Sequence, residues 1–73
     1  MENNINKLFG ENVVKLRKLR NLTQEELSFR CGIHRAYMGI IERGEKSVTL
    51  DTVAKVAAGL GVEIKDLFNF NGK

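Results

Sequence analysis

Cys31 and His34 stand three residues apart, the spacing at which one helix face can hold a metal between two ligands or pair a nucleophile with a base. They are the chain's one cysteine and one histidine. Two ligands are too few for a protein-built zinc site, and Gly32 interrupts the stretch between them. Cys31 therefore reads as a small buried residue. His34 reads as a helix cap or, at the start of that helix, a phosphate contact. No phosphate-binding glycine loop and no paired acid site is found elsewhere. Neither catalysis nor a metal or cofactor is expected.

The charged residues suggest binding instead. Twelve Lys and Arg against nine Asp and Glu give a net charge of +3. Residues 1–49 carry nine basic and six acidic groups, while 50–73 carry three of each, so the attraction for an anion lies in the first two thirds. With 73 residues, 42% of them hydrophobic and no proline, the chain suits one small globular domain spanning 1–73, with its core in 6–68. No segment has the length of a membrane span or the apolar region of a signal peptide. One cysteine provides no disulfide framework, so a cytoplasmic location is expected.

The elements that must position any binding residues are helical throughout. Phe9, Val13 and Leu16 recur at helical spacing and predict a first helix over 6–20, ended by Asn21, which tolerates the left-handed conformation. Thr23 with Glu26 three residues on is a capping box, and Leu22 and Leu27 flank it as a hydrophobic staple. The second helix covers 24–30 and stops before Gly32. Ile33 and Met38 repeat the staple around His34, predicting a third helix over 35–43 with Gly44 as its C-cap. Thr49 opens a fourth helix, whose inward residues are Leu50, Val53, Val56, Ala57 and Leu60, and Gly61 closes it. A fifth short helix is expected over 64–68, with Val62 and Leu67 as its apolar clamp. The fold class is all-α, a compact five-helix domain.

Two short helices joined by a glycine-containing turn form a helix-turn-helix, here over 24–43, whose second helix can enter the DNA major groove. In detail, LTQEEL, the IERG at 41–44 and the closing LGVEIKDLF resemble the helix-turn-helix domains of the phage Cro and repressor (XRE-like) type. The resemblance extends from Phe9 to Phe68. The stretch RAYMGIIERG is particularly similar to the controller proteins of restriction–modification systems. The resemblance implies a lambda-repressor-like fold and a regulator that binds double-stranded operator DNA as a homodimer. It also implies repression or activation of its own gene and an endonuclease gene. An antitoxin that represses its own operon is the alternative within DNA binding, and a helical protein-interaction module the alternative outside it.

On this reading the outward face of the third helix is Arg35, Ala36, Gly39 and Ile40. Arg35 can reach guanine O6 and N7 with two donors or hold a phosphate, and Ala36 can lie against a thymine methyl. Gly39 and Ile40 depart from the family's commonest pattern, which is polar there. Gly39 either admits backbone close to DNA or is a weak point in the helix, and Ile40 meets either a thymine methyl or another subunit. Tyr37 either reaches a phosphate or leans inward. Thr23 is a cap first and a phosphate neighbour second. Gln24, at a helix N-terminus that favours anions, bonds a phosphate and braces the third helix, as the resemblance implies, or is simply solvated. Arg43, Lys46 and Ser47 lie where the family follows the sugar–phosphate backbone, although Glu45 argues against a uniformly basic clamp. Arg17 and Glu42 form an expected structural pair, commonly a salt bridge in the family.

One recognition helix reads about four base pairs, which is too little for a regulatory site, so two-fold pairing with half-sites about 34 Å apart is expected. Leu67, Phe68 and Phe70 are the candidate dimer surface, unless they fold back on their own core. Glu25, in the first turn of the second helix, is a candidate contact for RNA polymerase, since related repressors present acidic residues there.

Overall fold

The computed structural model describes residues 4–70. Four α-helices follow in order: α1 (Ile5–Leu19), α2 (Gln24–Cys31), α3 (Arg35–Arg43) and α4 (Leu50–Leu60). The expected fifth α-helix does not form. Residues Ile64–Phe68 make a single 3-10 turn instead. The Asp66 amide bonds the Glu63 carbonyl at 2.9 Å, and the Asp66 carboxylate accepts from the Glu63 amide at 2.9 Å. In so short a segment these i→i+3 bonds tighten the chain before an α-helical ring can propagate.

The capping grammar is built as the residues require. Thr23 Oγ1 accepts from the Glu26 amide at 3.0 Å, and in return the Thr23 amide donates to Glu26 Oε1 at 2.8 Å. Thr49 caps α4 through the Thr52 amide at 3.1 Å. Asn21 takes the left-handed conformation, φ 56°, and turns the chain from α1 into α2.

Phe9 and Val13 of α1, Leu27 and Cys31 of α2, Met38 and Ile41 of α3, Val53, Val56, Ala57 and Leu60 of α4, and Leu67 form one apolar core. Leu16, Leu22, Ile33, Tyr37, Val48 and Val62 pack around it. Leu50 does not join them: it is 85% exposed. It lies in the first turn of α4 ahead of the buried stripe, while Val48, on the other side of the Thr49 cap, packs on the core.

Two glycines set how closely α1 approaches α3 and the turn after it. A Cβ at Gly10 would stand 2.5 Å from the Ile41 carbonyl oxygen and 2.6 Å from that of Glu42, so α1 and α3 touch backbone to backbone. Gly44 ends α3 at φ 69°, and a Cβ there would stand 2.7 Å from the Lys7 Cα. The start of α1 thus rests on the turn after α3, where Asn6 Nδ2 also donates to Ser47 Oγ at 3.3 Å.

Candidate nucleic-acid interface

The connection between α2 and α3 is Gly32, Ile33 and His34, with Gly32 left-handed at φ 68°. Ile33 packs on the core from inside the turn. His34 caps α3 through Nδ1, which accepts from the Ala36 amide at 3.1 Å. Cys31 lies in the contact of α2 with α4, where its thiol meets Gly59 and burial pushes its pKa up. The cysteine and histidine are thus divided between the core and a helix cap.

On α3, Met38 and Ile41 face the interior and Arg35 and Ala36 face solvent. Among the described residues, the Arg35 guanidinium has no hydrogen-bond or ion-pair partner, so its donors are unspent. Ile40 is half-buried. Tyr37 is also half-buried and packs on the core, so its ring takes the inward-leaning alternative. Gly39 is buried, contrary to the expectation of an open position. The side chains of Arg43 and Gln24 cover it: a Cβ there would lie 3.1 Å from Arg43 Nη1 and 3.7 Å from Gln24 Oε1.

Behind this face is one buried carboxylate with three donors. Arg17 Nε donates to Glu42 Oε2 at 2.8 Å and Arg17 Nη2 to Oε1 at 3.2 Å. Gln24 Nε2 donates to the same Oε1 at 2.8 Å, and Arg17 Nη1 to the Leu22 carbonyl at 2.9 Å. The expected Arg17–Glu42 pair is therefore present and ties α1, α2 and the α1–α2 turn to α3. Gln24 braces α3 through its amide nitrogen and keeps its carbonyl oxygen beside Gly39.

After α3, Arg43 and Glu45 pair through Nε–Oε2 at 2.6 Å and Nη2–Oε1 at 3.3 Å. The hydrogen bond from Arg43 holds the Glu45 carboxyl below the usual carboxylate range, and Arg43 is shifted up for the same reason. Lys46 and Ser47 are exposed, with Ser47 engaged by Asn6. Thr23 is exposed beside the start of α2. Sequence reasoning weighed Glu45 only as a charge against the basic clamp. Its position two residues after Arg43, across a left-handed glycine, is the signal that the two side chains fold together. Phe29 is 88% exposed on α2, and its position outside every apolar stripe is the sequence signal for that exposure.

Of the three candidate dimer residues, Leu67 is excluded as surface, because its exposure is 0% and it lies in the core. It occupies the inner side of the closing 3-10 turn. Phe68 is 40% exposed, with its ring 5.3 Å from Phe9 and 6.0 Å from Phe70. Phe70 is half-buried and borders a shallow depression with Leu8, Glu11, Asn12 and Lys15.

The helix-turn-helix family HTH_3 matches residues 13–67. Over 71 residues the chain is 46% identical to control protein C.BamHI of Bacillus amyloliquefaciens, covering 96% of this chain and 88% of that protein. Control protein C.SmaI of Serratia marcescens is 38% identical over 68 residues, covering 93% and 81%. Among solved structures, the restriction-modification controller protein C.AhdI from Aeromonas hydrophila superposes with a TM-score of 0.83 at 39% identity, covering 85% of this chain and 94% of that one.

Proposed function

This chain belongs to the helix-turn-helix family HTH_3, and on that premise we propose that it is a transcriptional regulator, the control protein of a restriction–modification system, binding a two-fold operator as a homodimer. The observation that carries this reading is the asymmetry of α3. Its inner side is locked by Met38, Ile41 and the Glu42 cluster, while its first turn presents the unpartnered Arg35 and the exposed Ala36.

With α3 in the major groove, Arg35 donates two hydrogen bonds to guanine O6 and N7, and Ala36 meets a thymine methyl. Ile40, half-buried at the next turn, adds apolar contact at the groove's edge. The start of α2, with Thr23 and Gln24, faces one phosphate strand, where amides at a helix N-terminus favour an anion. His34, Lys46 and Ser47 continue the backbone contacts. These fix register, whereas the base contacts discriminate.

Two subunits are needed because discrimination by one helix is too small against genomic competition. Phe68 and Phe70 are the surface we assign to subunit pairing. Pairing places two α3 helices in successive major grooves about 34 Å apart. Exposed Glu25 and Phe29 border a shallow groove on α2 with Leu22, Glu26 and Arg30, and we assign this groove to RNA polymerase. Glu26 is already committed to its capping box, which leaves Glu25 as the free acid.

The test is selection of bound sequences from random duplexes, followed by footprinting. An enriched motif with two-fold symmetry and half-sites one helical turn apart is expected. Failure to enrich any motif at low salt would remove the DNA-reading role.

A further inference from the structure

Gly39 stands one turn after Arg35 and one turn before Arg43, on a single row along α3, and it is buried although it has no side chain. Its cover is polar. The Arg43 guanidinium lies back over the Gly39 backbone, with Nη1 3.1 Å from the place a Cβ would occupy and Cζ 3.8 Å from it. Arg43 therefore does not extend past the end of α3 but returns along the row toward Arg35.

Glu45 fixes that posture. Its carboxylate takes the Nε–Nη2 edge of the guanidinium, at 2.6 and 3.3 Å. Because a guanidinium carries five N–H donors, the Nη1–Nη2 end keeps donors of its own, and Nη1 is the nitrogen nearest Gly39. A phosphate anchor gains nothing from this arrangement. It needs charge rather than a fixed plane, and a carboxylate in contact with the cation cancels most of the attraction for the strand. Bidentate reading of a base edge has the opposite requirements: a planar group held in one orientation, with little need for net charge.

We propose that Arg43 is a second base reader of α3, its guanidinium filling the place where Gly39 has no side chain, and that Glu45 is the positioning residue that holds it there. The ligand is the O6–N7 edge of a guanine. Gly39 is the third part of the device, since a Cβ 3.1 Å from Nη1 would push the guanidinium off the row. This inference rests on the reading of α3 as a DNA-binding helix.

The experiment compares the full-length protein with Arg43→Ala, Arg43→Lys and Glu45→Ala. Each undergoes site selection from random duplexes, then titration against the wild-type motif and a scrambled duplex over a salt series. Arg43→Ala is expected to lose about tenfold or more on the motif and to flatten base preference at one position per half-site. That position differs from the one flattened by Arg35→Ala. Affinity for the scrambled duplex is expected to change much less. Arg43→Lys keeps the charge but not the planar end, so it should flatten the same position with scrambled binding intact. Glu45→Ala should weaken preference at that position while tightening scrambled binding, because the cation is released toward the strand.

Equal proportional losses on both duplexes for Arg43→Ala, with a shallower salt dependence, would make Arg43 a phosphate anchor and overturn the proposal. Unchanged preference in Glu45→Ala would overturn the positioning role. A wild-type protein that enriches no motif defeats the DNA reading itself, whereas a motif indifferent to every Arg43 change defeats this inference alone. Both side chains are more than half or about half exposed, 59% and 50%, so these variants fold, and thermal melts check it.

Discussion

Arg17 of α1 grips Glu42 of α3 through two hydrogen bonds, 2.8 and 3.2 Å, with only 13% and 5% of the two side chains exposed. The carboxylate is the hub of the recognition element, because Gln24 of α2 donates to it as well. Removing Arg17 leaves a buried charge with one neutral donor. Arg17→Ala is expected to cost about 3 kcal/mol of unfolding free energy, measured by urea titration. Replacing both partners, Arg17→Met with Glu42→Leu, should cost less than Arg17→Ala alone, since no charge is then stranded. A double variant as unstable as the sum of the two singles would show that the pair is not a coupled unit.

Gly10→Ala tests the approach of α1 to α3 against intrinsic helix propensity. Alanine is favoured over glycine in a helix by about 1 kcal/mol. Here its methyl would meet the Ile41 and Glu42 carbonyl oxygens at 2.5 and 2.6 Å, backbone atoms that no side-chain rotation can clear. The contact should win, with a net destabilisation of about 2 kcal/mol in the same urea titration. A more stable Gly10→Ala protein would mean that the helices separate without loss.

Much of this architecture was legible because its signals are local. Thr23 with Glu26 and Thr49 before α4 mark two helix starts by residue type and spacing. The Ile33–Met38 staple marks the third around His34, a residue of poor capping propensity, and all three caps form. The Arg17–Glu42 pair was legible through resemblance and position along α1 and α3. What the residue order did not show was tertiary. Leu50 shares helical spacing with Val53 but lies outside the packed stripe, and Leu67, expected either on the dimer surface or folded back on its own core, takes the core. Gly39 looked open because a wheel drawn on α3 alone omits the Arg43 and Gln24 side chains that return over it. The closing 3-10 turn follows from bonds between Glu63 and Asp66 that a count of apolar residues does not register.

Arg35 is predicted to read sequence rather than charge. Its guanidinium stands in the first turn of α3 with no partner among the described residues, next to exposed Ala36. Arg35→Ala should lower affinity for the selected operator by roughly 10- to 100-fold, about 1–3 kcal/mol, and change binding to a scrambled duplex far less at one salt concentration. Losses of equal proportion would reassign it to the strand.

Phe68 should control subunit pairing. Its ring rests on Phe9 at 5.3 Å, yet 40% of the residue stays exposed beside Phe70. Phe68→Glu places a charge on that surface and is predicted to yield a folded monomer in sedimentation analysis. Operator affinity should then collapse toward the value for a single half-site. A Phe68→Glu protein that remains dimeric, with an unchanged footprint, would move the interface elsewhere.

Part of α2 faces solvent without a structural task. In a repressor-only molecule, α2 needs only to hold α3 in place for binding, and the Thr23–Glu26 box, Leu27 and Gln24 already hold it. Glu25 and the 88% exposed Phe29 serve neither task. Burying a phenylalanine removes an apolar area whose transfer is worth about 1.5–3 kcal/mol, so a partner that covers Phe29 gains affinity without touching DNA. Glu25→Lys and Phe29→Ala should therefore leave operator affinity near wild type and lower transcription from a promoter whose operator is saturated. Glu25→Lys replaces a negative charge by a positive one, raising the net charge by two, which by attraction alone would strengthen DNA binding slightly. A fall in transcription at full occupancy then cannot come from lost binding. Transcription that stays at the wild-type level in both variants would leave α2 with DNA binding as its whole function.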